Sequence, residues 1–243
     1  MFEVFKIELM KVKRSKLLCI VTLMPLFIVF QGIGNFLRYH DLFTSKGQNI
    51  WMQVYTQSVI FYGMNLLPLI VTIVMAYLAN MENKQDNWKT MLILPIEKSH
   101  MYISKFFVGA IFIFLNIIVF ISAVLIGGKM LASINMAFPK EIIIRPLLAF
   151  LVLFPVMAIQ YYLSIRFSNA VALGIGIAMT LPAMLIANTK YWILFPWTYA
   201  GMFTLSGKVN MFSTSNNLYL ICAAIFIMVM LLGIREFNKR DVV

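Results

Sequence analysis

The sequence predicts an all-α membrane protein with six transmembrane helices, on three observations. Of the 243 residues, 62% are hydrophobic and only 12% charged, with a mean hydropathy of +0.89, where an average soluble domain is roughly 25% charged. One aqueous core of this size cannot hide so much apolar surface, so lipid must solvate much of it. Six apolar runs, at about 17–36, 58–79, 104–127, 146–166, 170–188 and 217–234, reach the roughly 20 residues a helix needs to cross about 30 Å of hydrocarbon. The runs are continuous instead of alternating with period two, which argues against a β-barrel. No Gly-, Ser- or Pro-rich linker and no internal repeat divides the chain, so residues 1–243 read as one transmembrane domain.

At the start, Phe2, Phe5, Leu9 and Val12 recur at helical spacing while Glu3, Lys6, Lys11 and Lys13 fall largely elsewhere. That pattern predicts an amphipathic helix lying along the headgroup layer. Lys11, Lys13, Arg14 and Lys16 precede the first apolar run as in a signal peptide. The run is too long for one and no small-residue cleavage site follows, so it is expected to be a retained first span. Pro25, Pro68, Pro155 and Pro182 fall in four separate spans. Each removes a backbone donor and favours a kink, which suits a moving gate but is also ordinary in membrane bundles. Between spans five and six, residues 191–205, with Tyr191, Trp192, Phe195, Pro196, Trp197, Tyr199 and Phe203, are aromatic but too short to cross. They predict a re-entrant or interfacial segment at the outer side.

Placing both termini in the cytoplasm puts thirteen Lys and Arg on the inner side and seven in the outer loops, the bias expected of that orientation. The net charge of +11 is therefore read as a topological signal and not as a nucleic-acid surface. Cys19 and Cys222 both sit in apolar runs and give neither a disulfide framework nor a metal site.

Catalytic chemistry is sparse. There is no His-Glu-x-x-His pair and no Gly-x-Ser-x-Gly elbow, and His40 and His100 fall on opposite sides of the predicted membrane. No carboxylate lies inside a span, which disfavours an ion-driven pump. Gly127-Gly128-Lys129 lacks both the upstream glycine and the following hydroxyl of a phosphate-binding loop, so no cofactor is expected in this chain. The amides Gln31, Asn65, Asn116 and Gln160 lie within spans and read first as interhelical glue. Asn65 and Asn116, with Trp192 and Trp197, are also candidate substrate-facing residues, the two indoles alternatively forming a plain aromatic belt.

The inner stretch between spans two and three is the most informative. Trp88, Met91, Leu92 and Pro95 stand at i, i+3, i+4 and i+7, an apolar stripe on a short helix ended by the proline. Two readings stand equally: a lipid-anchored interfacial helix, or a docking helix for a cytosolic partner with Trp88 as its aromatic anchor.

The run Glu82…Trp88-Lys89-Thr90-Met91-Leu92-Ile93-Leu94-Pro95-Ile96-Glu97-Lys98…Lys105 resembles the segment between spans two and three of ABC type-2 exporter permeases. Its Asn-Trp-Lys form is similar in particular to lantibiotic immunity permeases of Gram-positive bacteria. The start, Glu8-Leu9 through Lys16, and the end, Phe237-Asn238-Lys239-Arg240-Asp241, resemble them too, so the likeness spans essentially the whole chain. It implies the ABC type-2 exporter fold, with residues 190–207 as outer re-entrant helices and residues 2–14 beside an ATPase. It also implies a cytoplasmic coupling helix docking through Glu82, Trp88, Lys89, Met91, Leu92 and Pro95. The implied partners are a cytosolic dimer of ATP-binding subunits holding ATP and Mg, and a second permease, identical or homologous. Membrane lipid completes the surroundings, with no nucleic acid.

The expected function is that of a permease subunit, itself no enzyme, of an ATP-driven exporter in a bacterial plasma membrane. Its expected cargo is a lantibiotic or similar antimicrobial peptide, giving self-immunity or resistance. Such a peptide partitions into the outer leaflet, where a pump with lateral openings can take it. The positive outer loops speak against a cationic cargo. Alternatives are export of a lipid-linked precursor or bacitracin-like drug, or a non-transporting membrane anchor or sensor.

Overall fold

A computed structural model describes residues 2–13, 15–45, 47, 49–83, 97–130, 136–205 and 217–239. Among these residues the chain is helical, with five helices long and apolar enough to cross a membrane, or six if one bent pair counts as a single span.

Helix α1 (Phe2–Val12) is followed by α2 (Leu17–Arg38), which buries Leu17, Val21, Pro25, Val29, Ile33 and Phe36 along one stripe. Leu23, Leu26, Phe27 and Phe30 on its other faces are left to lipid. A short α3 (His40–Thr44) leads to α4 (Ile50–Phe61), whose N-terminus is capped by Asn49, its side chain accepting from the Met52 N–H at 3.3 Å. A π-turn (Tyr62–Leu66) then joins α4 to α5 (Leu67–Asn83), the Leu67 N–H bonding to the Tyr62 carbonyl five residues back. Helix α6 (Lys98–Met130) runs 33 residues without a proline. Helices α7 (Glu141–Val152) and α8 (Phe154–Arg166) form the bent pair, turning 43° at Leu153. Pro155, having no N–H, cannot serve the carbonyl four residues back, which lets the chain bend there. After α9 (Asn169–Ile186) come two 3-10 turns (Lys190–Leu194 and Pro196–Thr198), then α10 (Tyr199–Leu205) and α11 (Asn217–Asn238).

The continuous unit Ile50–Met81 and helix α6 are central, with 61% and 56% of their most apolar windows buried, whereas α9 and α11 bury only 22% each. Helix α2 packs on α4 and α6, α5 on α8 and α9, and α11 on α8.

Three helices extend or break differently from the apolar runs they carry. The helix carrying the second run, expected at 58–79, begins at Ile50, because Gln53, Thr56 and Gln57 dilute its first turns without ending the helix. The third runs from Lys98 to Met130 where 104–127 was expected, and the fourth, expected at 146–166 as one piece, is broken at Leu153. On α1 the face packed on the bundle is Val4, Glu8 and Val12, so of the predicted apolar stripe Val12 is buried, Phe5 half-buried and Leu9 exposed. The reason is an ion pair that carries Glu8 inward, treated next.

Candidate functional site

Polar groups gather at three levels of the bundle. At the end where α1 lies, Glu8 and Lys105 are both about 2% exposed and meet at 2.6 Å, and Lys11 holds the second Glu8 oxygen at 2.8 Å. The pair is charge-assisted and fastens α1 to α6 across 97 residues of sequence. At the same end, Arg166 of α8 pairs with Glu236 of α11 at 2.9 Å, and the Tyr162 hydroxyl donates to the same carboxylate at 2.9 Å. Helix α5 stops and α6 begins here, bracketing the expected coupling helix. Of the expected docking residues, Glu82 lies in the last turn of α5, while Trp88, Lys89, Met91, Leu92 and Pro95 lie outside the described residues.

In the middle, Asn116 is fully buried and joins three elements. Its Nδ2 donates to the Val21 carbonyl at 2.6 Å, and its Oδ1 accepts from the Tyr62 hydroxyl of the π-turn at 2.8 Å. Val21 stands four residues before Pro25, so its carbonyl is the one the proline deprives of a helical donor, and Asn116 replaces that donor. The Tyr62 ring stacks on Phe120 at 3.8 Å between centroids. Gln160 acts similarly, donating to the Ala172 carbonyl of α9 at 2.9 Å. Both amides thus bridge elements within the bundle. Asn65 is half-buried in the π-turn.

Beyond the π-turn, α10 packs back into the bundle with Tyr199 through Thr204 all buried, against the π-turn and α7. Two glycines permit the approach: a Cβ on Gly63 would strike Thr204 Oγ1, and one on Gly201 would strike Met64. The Tyr55 hydroxyl donates to the Thr204 carbonyl at 2.8 Å. Trp192 and Trp197 are 1% and 5% exposed, the first edge-on to Tyr199 and the second beside Phe195. These indoles hold the turn together and present no open outer platform. The two candidate amides and two candidate indoles do not form a single cluster: Asn116 sits between α2 and the π-turn, the indoles under α10.

The exposed flank of α2 and α4 instead carries a polar recess of about 430 Å³, lined by Gln31, Asn35, Arg38 and Gln57 with Gly34 and Phe61. The Asn35 amide donates to Gln57 Oε1 at 2.7 Å. Gln31, Asn35 and Arg38 are exposed and stand at i, i+4 and i+7, a polar stripe on one helix face. Exposed amides at membrane depth are costly against hydrocarbon, so this flank suits water, a cargo or another protein better than acyl chains. Sequence reasoning noted Gln31 alone; the spacing to Asn35 and Arg38 was the signal for the rest. Among the described residues no group of three His, Cys, Asp or Glu could hold a metal ion.

No curated protein and no solved structure matches the chain. A family described as ABC-2 family transporter protein matches residues 4–183, which takes in α1, the π-turn, the bent pair and most of α9. That match covers well over half of the chain, and the all-helical, multi-pass architecture agrees with it. The chain therefore belongs to the ABC-2 transporter family, as a multi-pass membrane permease subunit of an ABC transporter that works with an ATP-binding partner.

Proposed function

We propose that this permease exports an amphipathic antimicrobial peptide of the lantibiotic kind, taken laterally from the outer leaflet. The polar recess on the flank of α2 and α4 carries the reading. In this reading it opens sideways to the outer leaflet, and its amides exchange hydrogen bonds with peptide groups that find no partners in hydrocarbon. In this reading the chain works in a bacterial plasma membrane, with both termini cytoplasmic, beside a second permease, identical or homologous. ATP and Mg are held by the partner subunits, and the segment from Glu82 to Pro95 is the coupling helix.

Asn35→Leu and Gln57→Leu should each weaken peptide-stimulated ATPase activity of the reconstituted transporter about fivefold, the factor for one hydrogen bond of about 1 kcal/mol. Unchanged half-maximal stimulation in both variants would remove the recess from the transport path. A second reading follows from Arg38, whose guanidinium beside the amides favours an anionic, lipid-linked cargo over a cationic peptide. A panel of both cargo types in the same assay separates the two, and a transporter that no cargo stimulates would favour an anchor or sensor role.

Trp88→Ala should reduce copurification of the ATP-binding partner while leaving membrane insertion intact, since an aromatic anchor carries much of a small interface. Undiminished copurification would sink the docking assignment. The purified chain alone should hydrolyse no ATP; sustained turnover by a preparation free of other subunits would contradict the division of labour.

A further inference from the structure

A groove of about 720 Å³ runs beneath α1 along an exposed apolar side of the bundle. One wall is α6, through Ser104, Phe107, Ile111 and Phe114, and the other is Phe150 and Phe154 on either side of the 43° bend. Phe5 of α1 closes one end. From Ser104 to Phe114 a helix rises about 15 Å, which is half of the roughly 30 Å hydrocarbon core. The groove therefore begins at the surface on which α1 lies and ends near the bilayer midplane, the reach of one acyl chain in one leaflet.

The wall is apolar throughout except for Ser104. Its hydroxyl is buried and has no hydrogen-bond partner, although it sits at the end nearest the headgroups. Lys6 of α1 and Lys13, the residue just after its end, are exposed and seven residues apart, so they project in about the same direction, about a quarter turn from Phe5 and away from Val4, Glu8 and Val12. Ile7, Leu9 and Met10 are exposed among these lysines, as suits a helix resting in the headgroup layer.

We propose that this groove is a binding site for one anionic glycerophospholipid. Its acyl chain fills the cleft between α6 and the bend, its ester carbonyl accepts from the Ser104 hydroxyl, and its phosphate lies between Lys6 and Lys13. The lipid packs against α1, α6 and both halves of the broken span at once, so its loss loosens α1 from the bundle. The site shares no lining residue with the polar recess and does not depend on the identity of the cargo.

Native mass spectrometry of the full chain, released from micelles holding equal phosphatidylglycerol and phosphatidylcholine, tests this without ATP or cargo. Wild type should retain one phosphatidylglycerol per chain in preference to phosphatidylcholine. Lys6→Gln and Lys13→Gln should each lower that preference about fivefold, the factor for one lysine near an anionic surface. Ile111→Trp should abolish retention of either lipid by filling the cleft; at 44% exposure Ile111 has room for the larger ring without disturbing the core, and an unchanged melting temperature in lipid-free detergent checks this. Equal retention of the two lipids by wild type overturns the proposal, as does retention that survives Ile111→Trp.

Discussion

Lys105→Ala should destabilise the protein by about 3 kcal/mol, the low end of what removing one partner of a buried ion pair costs. Glu8 would remain about 2% exposed with Lys11 beside it at 2.8 Å, and the Lys11 side chain is itself about a third exposed. The carboxylate would then have to move toward solvent, drawing α1 off α6. Two measurements check this: the melting temperature in detergent, and protease cleavage between α1 and α2. The reverse experiment separates charge from packing. Glu8→Leu combined with Lys105→Met removes both charges and keeps the volume, and buried pairs replaced in this way are often neutral or stabilising. The double variant should recover most of the loss. If it is no more stable than Lys105→Ala alone, the ion pair is not what fastens α1.

The second large effect is expected at Asn116. An average interhelical hydrogen bond in a membrane bundle is worth only about 0.6 kcal/mol, because the separated helices find other partners. Here the alternative is missing, since Pro25 has no N–H to return to the Val21 carbonyl. Asn116→Leu would leave that carbonyl and the Tyr62 hydroxyl without their present partner, and should cost about 2 kcal/mol. Pro25→Ala restores a backbone donor at residue 25, so the same Asn116→Leu change should cost about 1 kcal/mol less in that background. Strict additivity of the two substitutions in thermal unfolding would show that Asn116 is not standing in for the proline's absent donor.

The apolar helices of a multi-pass membrane protein were legible in the sequence because hydropathy alone sets which segments lipid can solvate. Their ends were not. Gln53, Thr56 and Gln57 look like a loop when averaged over a window, yet a helix tolerates them wherever a neighbour or solvent meets their side chains. The orientation of α1 was hidden for a related reason. Periodicity marked its apolar residues without showing which of them face the bundle, and a partner 97 residues away decides that Glu8 points inward. The amides divide in the same way: Asn116 and Gln160 turned inward as glue, while Gln31 and Asn35 face the flank, and nothing local distinguishes them. Trp192 and Trp197 followed the aromatic content that predicted a re-entrant turn, but the packing of α10 buried both. The family was legible chiefly from an inner segment that lies outside the described residues, and the match over residues 4–183 supports it independently.

Helix α6 differs from its neighbours in being both unbroken and long. Its 33 residues would extend about 50 Å, from beside the inner segment to well past the midplane, with no proline to absorb bending. Such a rod behaves as a lever: tipping it by about 5° about one end carries the other through about 4 Å. A small displacement delivered beside Lys98 would then arrive near Met130 as a full side-chain's width of movement.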